Sequence, residues 1–233
     1  MLPVAAAAKA ISFSGKAILD LTAAPGGKAT HAAELASDGL VVSNEVISSR
    51  VQPLIWNSVR HRIPNPAITC ASPAHLASLL PNYFDIILVD APCSGEGLFQ
   101  KRKHSLNRWS EKNIHFNARR QRSILLEAAK LIKPEGFLVY STCTFAPEEN
   151  EEQTAWLLDM GWLPVAFPEE ISVSAAISPR QDVALCSRRI MPHQFEGSGS
   201  FVSLLQAPDD FSYPVRQQVF VFFGNHHLLS AKC

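Results

Sequence analysis

Short apolar runs alternate with longer amphipathic stretches along most of the chain, and this alternation predicts the fold class. Each apolar run has the length of a strand and is bounded by turn residues or acids. The pattern predicts seven strands, at residues 16–21, 40–44, 67–69, 84–90, 137–140, 162–167 and 201–205. It predicts helices at residues 1–10, 29–37, 47–60, 73–80, 114–132 and 147–160. Strands that alternate with helices indicate an α/β fold, a mostly parallel doubly wound sheet with helices on both faces.

The segment IILVDAPCSGEG, at residues 86–97, indicates where the chemistry lies. Its four consecutive aliphatic residues suit a strand buried on both faces. An open α/β sheet binds its ligands at the carboxyl ends of its strands. Asp90 and Cys93 follow that strand directly, and Cys143 follows the strand predicted at 137–140. We therefore expect one acid and two thiols at the same edge of the sheet.

The glycine-rich segment TAAPGGK, at residues 22–28, predicts a nucleoside site. Gly26 and Gly27 allow the backbone to approach a ligand closely, and the following helix begins with free N–H groups. The dinucleotide motif G-x-G-x-x-G is absent, and Lys28 is not followed by the Ser or Thr of a phosphate-binding loop. Glu45, after the second strand, can bind ribose hydroxyls. S-adenosylmethionine is a nucleoside ligand without phosphates; the alternative is a plain strand-to-helix turn.

The two cysteines and the acid favour covalent chemistry on a pyrimidine. Carbon 5 of cytosine is a poor nucleophile until a thiolate attacks carbon 6. A helix predicted from residue 147, whose acidic first turn suits its dipole, could lower the pKa of the Cys143 thiol. Asp90 could supply a proton or a hydrogen bond to the ring nitrogen if the site buries it. The second thiol could assist product release, although a lone cysteine is more often a small buried hydrophobic residue.

Composition and charge limit the partners. The chain has 233 residues, 47% of them hydrophobic, and equal numbers of basic and acidic residues, 21 of each. The zero net charge argues mildly against a free-standing nucleic-acid binder. However, residues 101–122 carry eight basic side chains against one acid, with aromatic residues between them. A solvated helix face is the alternative to a phosphate-binding surface there. The candidate RNA-binding residues are Lys101, Arg119, Arg120 and Arg122.

The five cysteines and the apolar runs bear on compartment and cofactors. The cysteines are odd in number and widely spaced, so none has metal-ligand spacing, and this usage fits a reducing cytosol. No apolar run is long enough to span a membrane. Residues 1–11 lack the charged start of a signal peptide. We therefore expect a cytoplasmic protein that uses no metal and no membrane.

Three motifs closely resemble those of the Sun-type (NSUN) RNA cytosine-5 methyltransferases. They are DLTAAPGGK at 20–28, VDAPCSGEG at 89–97 and YSTCTFAPEENE at 140–151. A finer resemblance is to the bacterial YebU/RsmF branch, which methylates 16S ribosomal RNA. It is carried by GLFQK at 97–101, SPAHLA at 72–77 and RIMPHQFEGSGSFVSLL at 189–205. Together these segments extend the resemblance over roughly residues 1 to 205.

The resemblance implies a Rossmann-like class I S-adenosylmethionine-dependent methyltransferase with an antiparallel last strand inside the sheet. It implies methylation of carbon 5 of cytosine in RNA, with Cys143 as the nucleophile and Cys93 assisting product release. Asp90 would touch both the cofactor and the target base. The implied cofactor-binding residues are Thr22, Ala23, Ala24, Pro25, Gly26, Gly27, Lys28, Glu45, Ser72 and Asp90. Two of these depart from the family, because Thr22 replaces a usual Cys and Ser72 stands where many relatives have Asp.

The domain organisation is expected to differ from that of the family. We expect residues 1–207 to form the methyltransferase domain and residues 208–233 an irregular tail. The RNA-binding segment that usually precedes the domain is expected to be absent, so a partner could supply RNA-binding domains. Alternatives are a transfer RNA methyltransferase, a catalytically impaired remnant that binds S-adenosylmethionine or RNA, and a DNA cytosine-5 methyltransferase. The last would use the cysteine of Pro92-Cys93 as nucleophile, and the second thiol, Cys143, disfavours it.

Overall fold

The structure is a computed structural model that describes residues 2–64, 66–99, 109–168, 174–175, 178–193 and 197–210. Two predictions fall outside these ranges. Lys101 and the larger part of the predicted tail, residues 211–233, lie beyond the described residues.

Helices and strands alternate along residues 2–164 as the sequence predicts, and three later elements were not predicted. The α-helices in these ranges are α1 Leu2–Ala10, α2 Gly27–Ala36, α3 Ser48–Arg60, α4 Pro73–Leu79, α5 Glu111–Leu131, α6 Glu151–Asp159 and α7 Gln181–Cys186. The strands there are β1 Ala17–Asp20, β2 Leu40–Asn44, β3 Ala67–Thr69, β4 Phe84–Asp90, β5 Ile132–Thr142, β6 Leu163–Pro164, β7 Ser174–Ala175, β8 Ser187–Ile190 and β9 Ser200–Gln206. The elements that were not predicted are β7, α7 and β8.

One sheet contains all the strands of the described ranges, in the order β3-β2-β1-β4-β5-β9-β8-β7, with β6 also paired to β9. Strands β3 to β5 are parallel. Strand β9 runs antiparallel to β5 and pairs with it from Phe137 to Thr142. The predicted α/β class is confirmed, and so is an antiparallel strand inserted inside the sheet.

The hydrophobic core lies on both faces of the sheet, which explains the uninterrupted aliphatic run of β4. Ile86 and Leu88 point to one face and join a cluster with residues of α1 and α2. Ile87 and Val89 point to the other face and join a cluster with residues of α4 and α5. Because successive side chains of a strand alternate between faces, a strand covered on both sides has to be apolar at every position.

Most predicted elements differ from the structure by one to three residues at their ends, and three differ more. Strand β5 begins at Ile132 rather than 137, with a register irregularity against β4 and a positive φ at Glu135. The helix predicted at 147–160 is a 3₁₀ turn, Pro147–Glu149, followed by α6, because Asn150 has non-helical backbone angles. The strand predicted at 162–167 is only β6, since β8 pairs with the rest of the same edge of β9.

Candidate functional site

The carboxyl ends of β1, β2, β4 and β5 bring the predicted site residues together. In the sheet register Asp20 is opposite both Ser43 and Leu88, and Asp90 is opposite Ser141. Parallel strands present their carboxyl ends at one edge, where α/β sheets bind ligands. The loops after these four ends carry the glycine-rich segment, Glu45, Cys93 and Cys143.

The two predicted thiols are in direct contact. Cys93 Sγ and Cys143 Sγ are 3.1 Å apart, and the Cys143 backbone N–H donates to Cys93 Sγ at 3.3 Å. Both cysteines are free thiols and half-buried. The hydrogen bond shared with Cys93 lowers the pKa of Cys143 below its ordinary value. The same contact, together with burial, raises the pKa of Cys93 well above its ordinary value. The pair is therefore asymmetric: Cys143 is the one that ionises first.

Asp90 is fixed by two neighbours. Its Oδ2 atom is 2.6 Å from Lys28 Nζ, and its Oδ1 atom accepts a hydrogen bond from Ser141 Oγ at 3.0 Å. The Asp90 side chain is 37% exposed, so the site does not bury it. Lys28 was predicted only as part of the cofactor loop, and its ion pair with Asp90 is a tertiary contact. The lysine also contributes to the lowered pKa of Cys143 through its positive charge.

The glycine-rich loop packs against helix α3. Gly26 has φ +109°, and a Cβ atom there would lie 2.8 Å from Leu54 Cδ1. The carbonyl oxygens of the loop accept side-chain hydrogen bonds from α3, Ala24 from Arg50 and Pro25 from Asn57, each at 2.6 Å. Only a residue without a side chain fits at Gly26 in this conformation. The loop thus passes over the start of α2 with its backbone close to the ligand edge of the sheet.

Glu45 and Ser72 occupy the places expected after β2 and before α4. Glu45 is buried, and its carboxylate accepts from the Ile47 backbone N–H at 2.9 Å and pairs with Arg50 at 3.1 Å. Ser72 caps α4, because its hydroxyl oxygen accepts from the His75 backbone N–H at 3.2 Å. The ribose contact of Glu45 and the adenine contact of Ser72 stay predictions.

Asp20 is a site candidate that the sequence alone did not indicate. It is fully buried, and its Oδ1 atom accepts from the Thr22 backbone N–H at 3.3 Å. Its Oδ2 atom, like Thr22 Oγ1, has no hydrogen-bond partner among the described residues. Burial raises the pKa of Asp20 to about 7, Lys28 opposes the rise and Asp90 adds to it. The only sequence signal is that β1, like β4, ends its apolar run in an aspartate.

The loops that follow the two cysteines are tied to each other. Ser94 Oγ and Thr144 Oγ1 are 2.6 Å apart, and the Gly97 backbone N–H donates to the Cys143 carbonyl oxygen at 2.9 Å. Glu96 accepts hydrogen bonds at its two oxygens from the Trp109 ring, at 2.6 Å, and from the Phe145 backbone, at 2.9 Å. Hydrogen bonds between the two loops therefore support the contact between the two thiols.

The predicted RNA-binding arginines lie on helix α5 and are exposed to solvent. Arg119 and Arg120 are on its outer surface. Arg122 is also exposed, but its guanidinium lies 5.4 Å from the centre of the Trp156 ring, so part of its interaction is within the protein. These positions give α5 a positive outer face. Their role in RNA binding stays a prediction.

Within the described ranges no cluster of three or more His, Cys, Asp or Glu side chains is arranged to hold a metal ion. No helix in the part of the chain that the structure describes combines the length and the apolar character that crossing a membrane requires.

Sequence comparisons identify related proteins. The family model described as 16S rRNA methyltransferase RsmB/F matches residues 12–206. The ribosomal RNA small subunit methyltransferase F of Psychromonas ingrahamii is 42% identical over 173 residues, which are 73% of this chain and 35% of that protein. The protein of the same name from Pectobacterium atrosepticum is 42% identical over 195 residues, 81% of this chain and 39% of that protein. The chain thus spans well under half the length of these relatives.

Comparison with solved structures finds proteins that share this fold. NSun6 from Pyrococcus horikoshii, solved with SFG, has a TM-score of 0.75 and 29% identity, over 89% of this chain and 52% of that chain. A methyltransferase homolog from the same organism has a TM-score of 0.71 and 28% identity, over 88% of this chain and 66% of that chain. An S-adenosylmethionine-dependent methyltransferase from Aquifex aeolicus, at 14% identity and a TM-score of 0.53, shares the fold alone.

Proposed function

Because the chain belongs to the 16S rRNA methyltransferase RsmB/F family, we propose that it catalyses S-adenosylmethionine-dependent methylation of carbon 5 of a cytosine in ribosomal RNA. The observation that carries this proposal is the contact between Cys93 Sγ and Cys143 Sγ at 3.1 Å, beside the Asp90–Lys28 ion pair. Two thiols of opposite pKa shift suit a reaction in which one sulfur attacks a base and the other assists its release.

Cys143 is the proposed nucleophile. Its lowered pKa favours the thiolate, which attacks carbon 6 of cytosine so that a sulfur–carbon bond forms and electron density moves to carbon 5. The ring nitrogen needs a hydrogen bond as that density develops. Asp90 and Lys28 form a hydrogen-bonding pair next to the thiols and can meet that need together.

The residues of the glycine-rich loop suit S-adenosylmethionine. Thr22–Lys28, Glu45, Ser72 and Asp90 would hold it, and the NSun6 neighbour with SFG, an analogue of this cofactor, supports the assignment. The buried, unpartnered oxygen of Asp20 and the close approach of backbone at Gly26 fit a ligand that brings its own polar groups. When bound, S-adenosylmethionine supplies the methyl group.

Cys93 is the proposed aid to product release. After methyl transfer, a water molecule takes the proton on carbon 5, the electrons of that carbon–hydrogen bond form the carbon 5–carbon 6 double bond, and the electrons of the carbon 6–sulfur bond return to Cys143. The raised pKa of Cys93 keeps it as a neutral thiol that can donate a hydrogen bond to the departing sulfur. The target base has to be flipped out or already unpaired to meet both sulfurs, so we expect a preference for looped RNA.

Trapping of the covalent adduct tests the proposal. With 16S ribosomal RNA that contains 5-fluorocytosine, we expect a stable protein–RNA adduct that Cys143→Ala abolishes. With unmodified RNA, we expect Cys93→Ala to accumulate adduct. Cys186→Ala is the control, because Cys186 is a free, buried cysteine on α7.

The outcomes separate the alternatives. If Cys93→Ala removes the adduct while Cys143→Ala keeps it, the two roles are reversed. If an adduct forms with transfer RNA and none forms with 16S ribosomal RNA, the substrate is transfer RNA. Binding of S-adenosylmethionine without methyl transfer, even after addition of a basic RNA-binding partner, would make the chain a non-catalytic remnant. A substrate in ribosomal RNA agrees with the predicted cytoplasmic location, which stays a prediction.

A further inference from the structure

The peptide groups on both sides of Cys93 are held by one buried pair of side chains. On one side, Gln121 Nε2 donates to the Pro92 carbonyl oxygen at 3.0 Å. On the other, the Ser94 backbone N–H donates to the two Glu149 oxygens at 3.0 and 3.2 Å. The two side chains also bond to each other, Gln121 Nε2 to Glu149 Oε2, at 2.9 Å. The backbone of Cys93 is thus fixed before and after its Cα atom.

The side chains of Gln121 and Glu149 form a clamp on the Cys93 backbone, and this clamp is anchored on β5, the strand that leads to Cys143. Gln121 and Glu149 are both completely buried. The Tyr140 hydroxyl, itself buried in β5, donates to the Glu149 carbonyl oxygen at 2.5 Å. Cys143 follows β5 directly, so the clamp connects the Cys93 loop to the Cys143 strand through buried hydrogen bonds. Such a connection fixes the separation of the two sulfurs more firmly than their own contact could.

The clamp also brings a negative charge to Cys93. The contact with Cys143 and burial are the main causes of the raised pKa of Cys93, and the charge of the Glu149 carboxylate adds to them. A fixed anion close to a thiol disfavours the thiolate. The same group that positions Cys93 therefore opposes its ionisation.

We propose that Glu149 and Gln121 are positioning residues that hold Cys93 as the neutral thiol partner of Cys143. Neither side chain needs to touch the RNA base or the methyl donor for this role. The consequence for product release rests on the proposed function. The ordering of the two thiols, meaning that Cys143 ionises before Cys93, does not.

Alkylation of the two thiols tests this ordering directly. The intact chain is treated with iodoacetamide over pH 6 to 9, and mass spectrometry gives the separate rates for Cys93 and Cys143. In the wild type we expect Cys143 to react faster. In Glu149→Gln, which removes the negative charge, and in Gln121→Met, which releases the Pro92 peptide group, we expect the ratio of the Cys143 rate to the Cys93 rate to fall by about threefold, the effect of about half a pKa unit on the thiolate share.

Gln153→Met is the matched control. Gln153 is also completely buried, donates through Nε2 to a backbone carbonyl, that of Glu148, at 2.6 Å, and has an unpartnered Oε1 atom like that of Gln121. It makes no hydrogen bond to the Cys93 loop among the described residues. It should therefore lose a similar amount of stability and keep the wild-type ratio of rates.

Two results would overturn the proposal: a ratio within twofold of the wild type in both clamp variants, or an equal fall in Gln153→Met. If Glu149→Gln does not fold, Gln121→Met gives the decision by itself. Adduct trapping is read separately on the same variants. A wild type that forms no adduct but orders its thiols as expected would refute the proposed function and leave the clamp standing.

Discussion

Two buried carboxylates, Asp20 on the glycine-loop side of the site and Glu149 on the thiol side, have opposite surroundings. Burial raises the pKa of both. Both Glu149 oxygens accept hydrogen bonds from the protein, whereas Asp20 accepts one at 3.3 Å and its Oδ2 atom has no partner among the described residues. Unsatisfied buried polar atoms are costly, so they concentrate where a ligand completes them. The Glu149 carboxylate is thus satisfied by the protein itself, whereas the Asp20 carboxylate leaves one oxygen for a ligand.

The ion pair of Lys28 with Asp90 connects the two sides, and breaking it should have the largest effect. Lys28→Met leaves Asp90 without its partner and removes a positive charge that lowers the pKa of Cys143. We expect the methyl-transfer rate to fall by about 100-fold or more, the range of a lost acid–base or electrostatic group. Single-turnover transfer of a radiolabelled methyl group would measure it. Lys28→Arg, which keeps the charge, should lose much less, and equal losses would show that charge is not the cause.

Removing the Asp20 carboxylate should change the pH dependence of stability. The raised pKa means that the folded protein binds this proton more tightly than the unfolded chain, so the free energy of unfolding falls as pH rises from about 4 to 7. A rise from 3.8 to about 7 corresponds to at most about 4 kcal/mol. Asp20→Asn should therefore be more stable than the wild type at pH 8 and similar to it at pH 4, as measured by urea denaturation.

Asp85, on β4 of the same sheet, is a control because its pKa shift has the opposite sign to that of Asp20. Although burial opposes it, hydrogen bonds from Lys133 and the Ala17 backbone lower the pKa of Asp85. Its contribution is present at neutral pH and is lost as pH falls below its unfolded value of 3.8. Asp85→Asn should therefore destabilise the protein at pH 7. A destabilised Asp20→Asn at pH 8 would mean that Asp20 serves as scaffold, like Glu149.

Substitution of Gly26, on the glycine-loop side of the site, should reduce both stability and cofactor binding. Gly26→Ala would be strained at φ +109° and would place its Cβ 2.8 Å from Leu54 Cδ1. We expect a loss of about 1–3 kcal/mol of stability and weaker binding of S-adenosylmethionine by calorimetry. Gly161→Ala is the control, since Gly161 has φ +95° and no heavy atom within 4 Å of its Cβ position. It shares the strain without the clash, and its cofactor affinity should stay at the wild-type value.

The smallest effect is expected on the outer face of α5. Replacing Arg119, Arg120 and Arg122 by Ala should weaken RNA binding and flatten the dependence of log K on log salt by about 2, since each lost phosphate contact on a single strand contributes about 0.7. Arg122 should contribute least because of its contact with Trp156. Filter binding at several salt concentrations would measure the slope. Arg60→Ala, an exposed arginine on α3, is the control. An unchanged slope would make α5 an ordinary solvated surface.

Strand β4 was predictable from the sequence because burial on both faces makes its central residues, Ile86–Val89, apolar at every position. Strands β2, β3 and β4 have the predicted bounds. Strand β8 was not predicted, because its sequence Ser187–Ile190 contains two arginines. Buried Arg189 pairs with Glu151 through two bonds of 2.7 Å and donates a third to the Phe145 carbonyl oxygen at 2.9 Å, and both partners are distant in the sequence. Local hydropathy carries no information about such a pair.

The same reason limits prediction of the site. Cys93, Cys143 and Asp90 follow strand ends, and their side chains carry recognisable chemistry, so the sequence identifies them and the structure brings them together. Glu149 was assigned to a helix dipole because it stands among acids at a predicted helix start. Its burial and its bonds to Ser94 and Gln121 depend on tertiary packing. Residues that react can be found by type and place, whereas residues that position them need the folded chain.

The place of β9 between β5 and β8 has a consequence for biosynthesis. Translation produces the two cysteine loops well before Ser200–Gln206, so a nascent chain carries both reactive sulfurs while the edge of β5 is still open. An open edge invites wrong pairing and aggregation. The Gly199 backbone N–H bonds to the Gly97 carbonyl oxygen at 3.2 Å, and Gly97 bonds in turn to Cys143. The bond between Gly199 and Gly97, and the pairing that covers the edge of β5, can therefore form only after residues 199–206 have been synthesised.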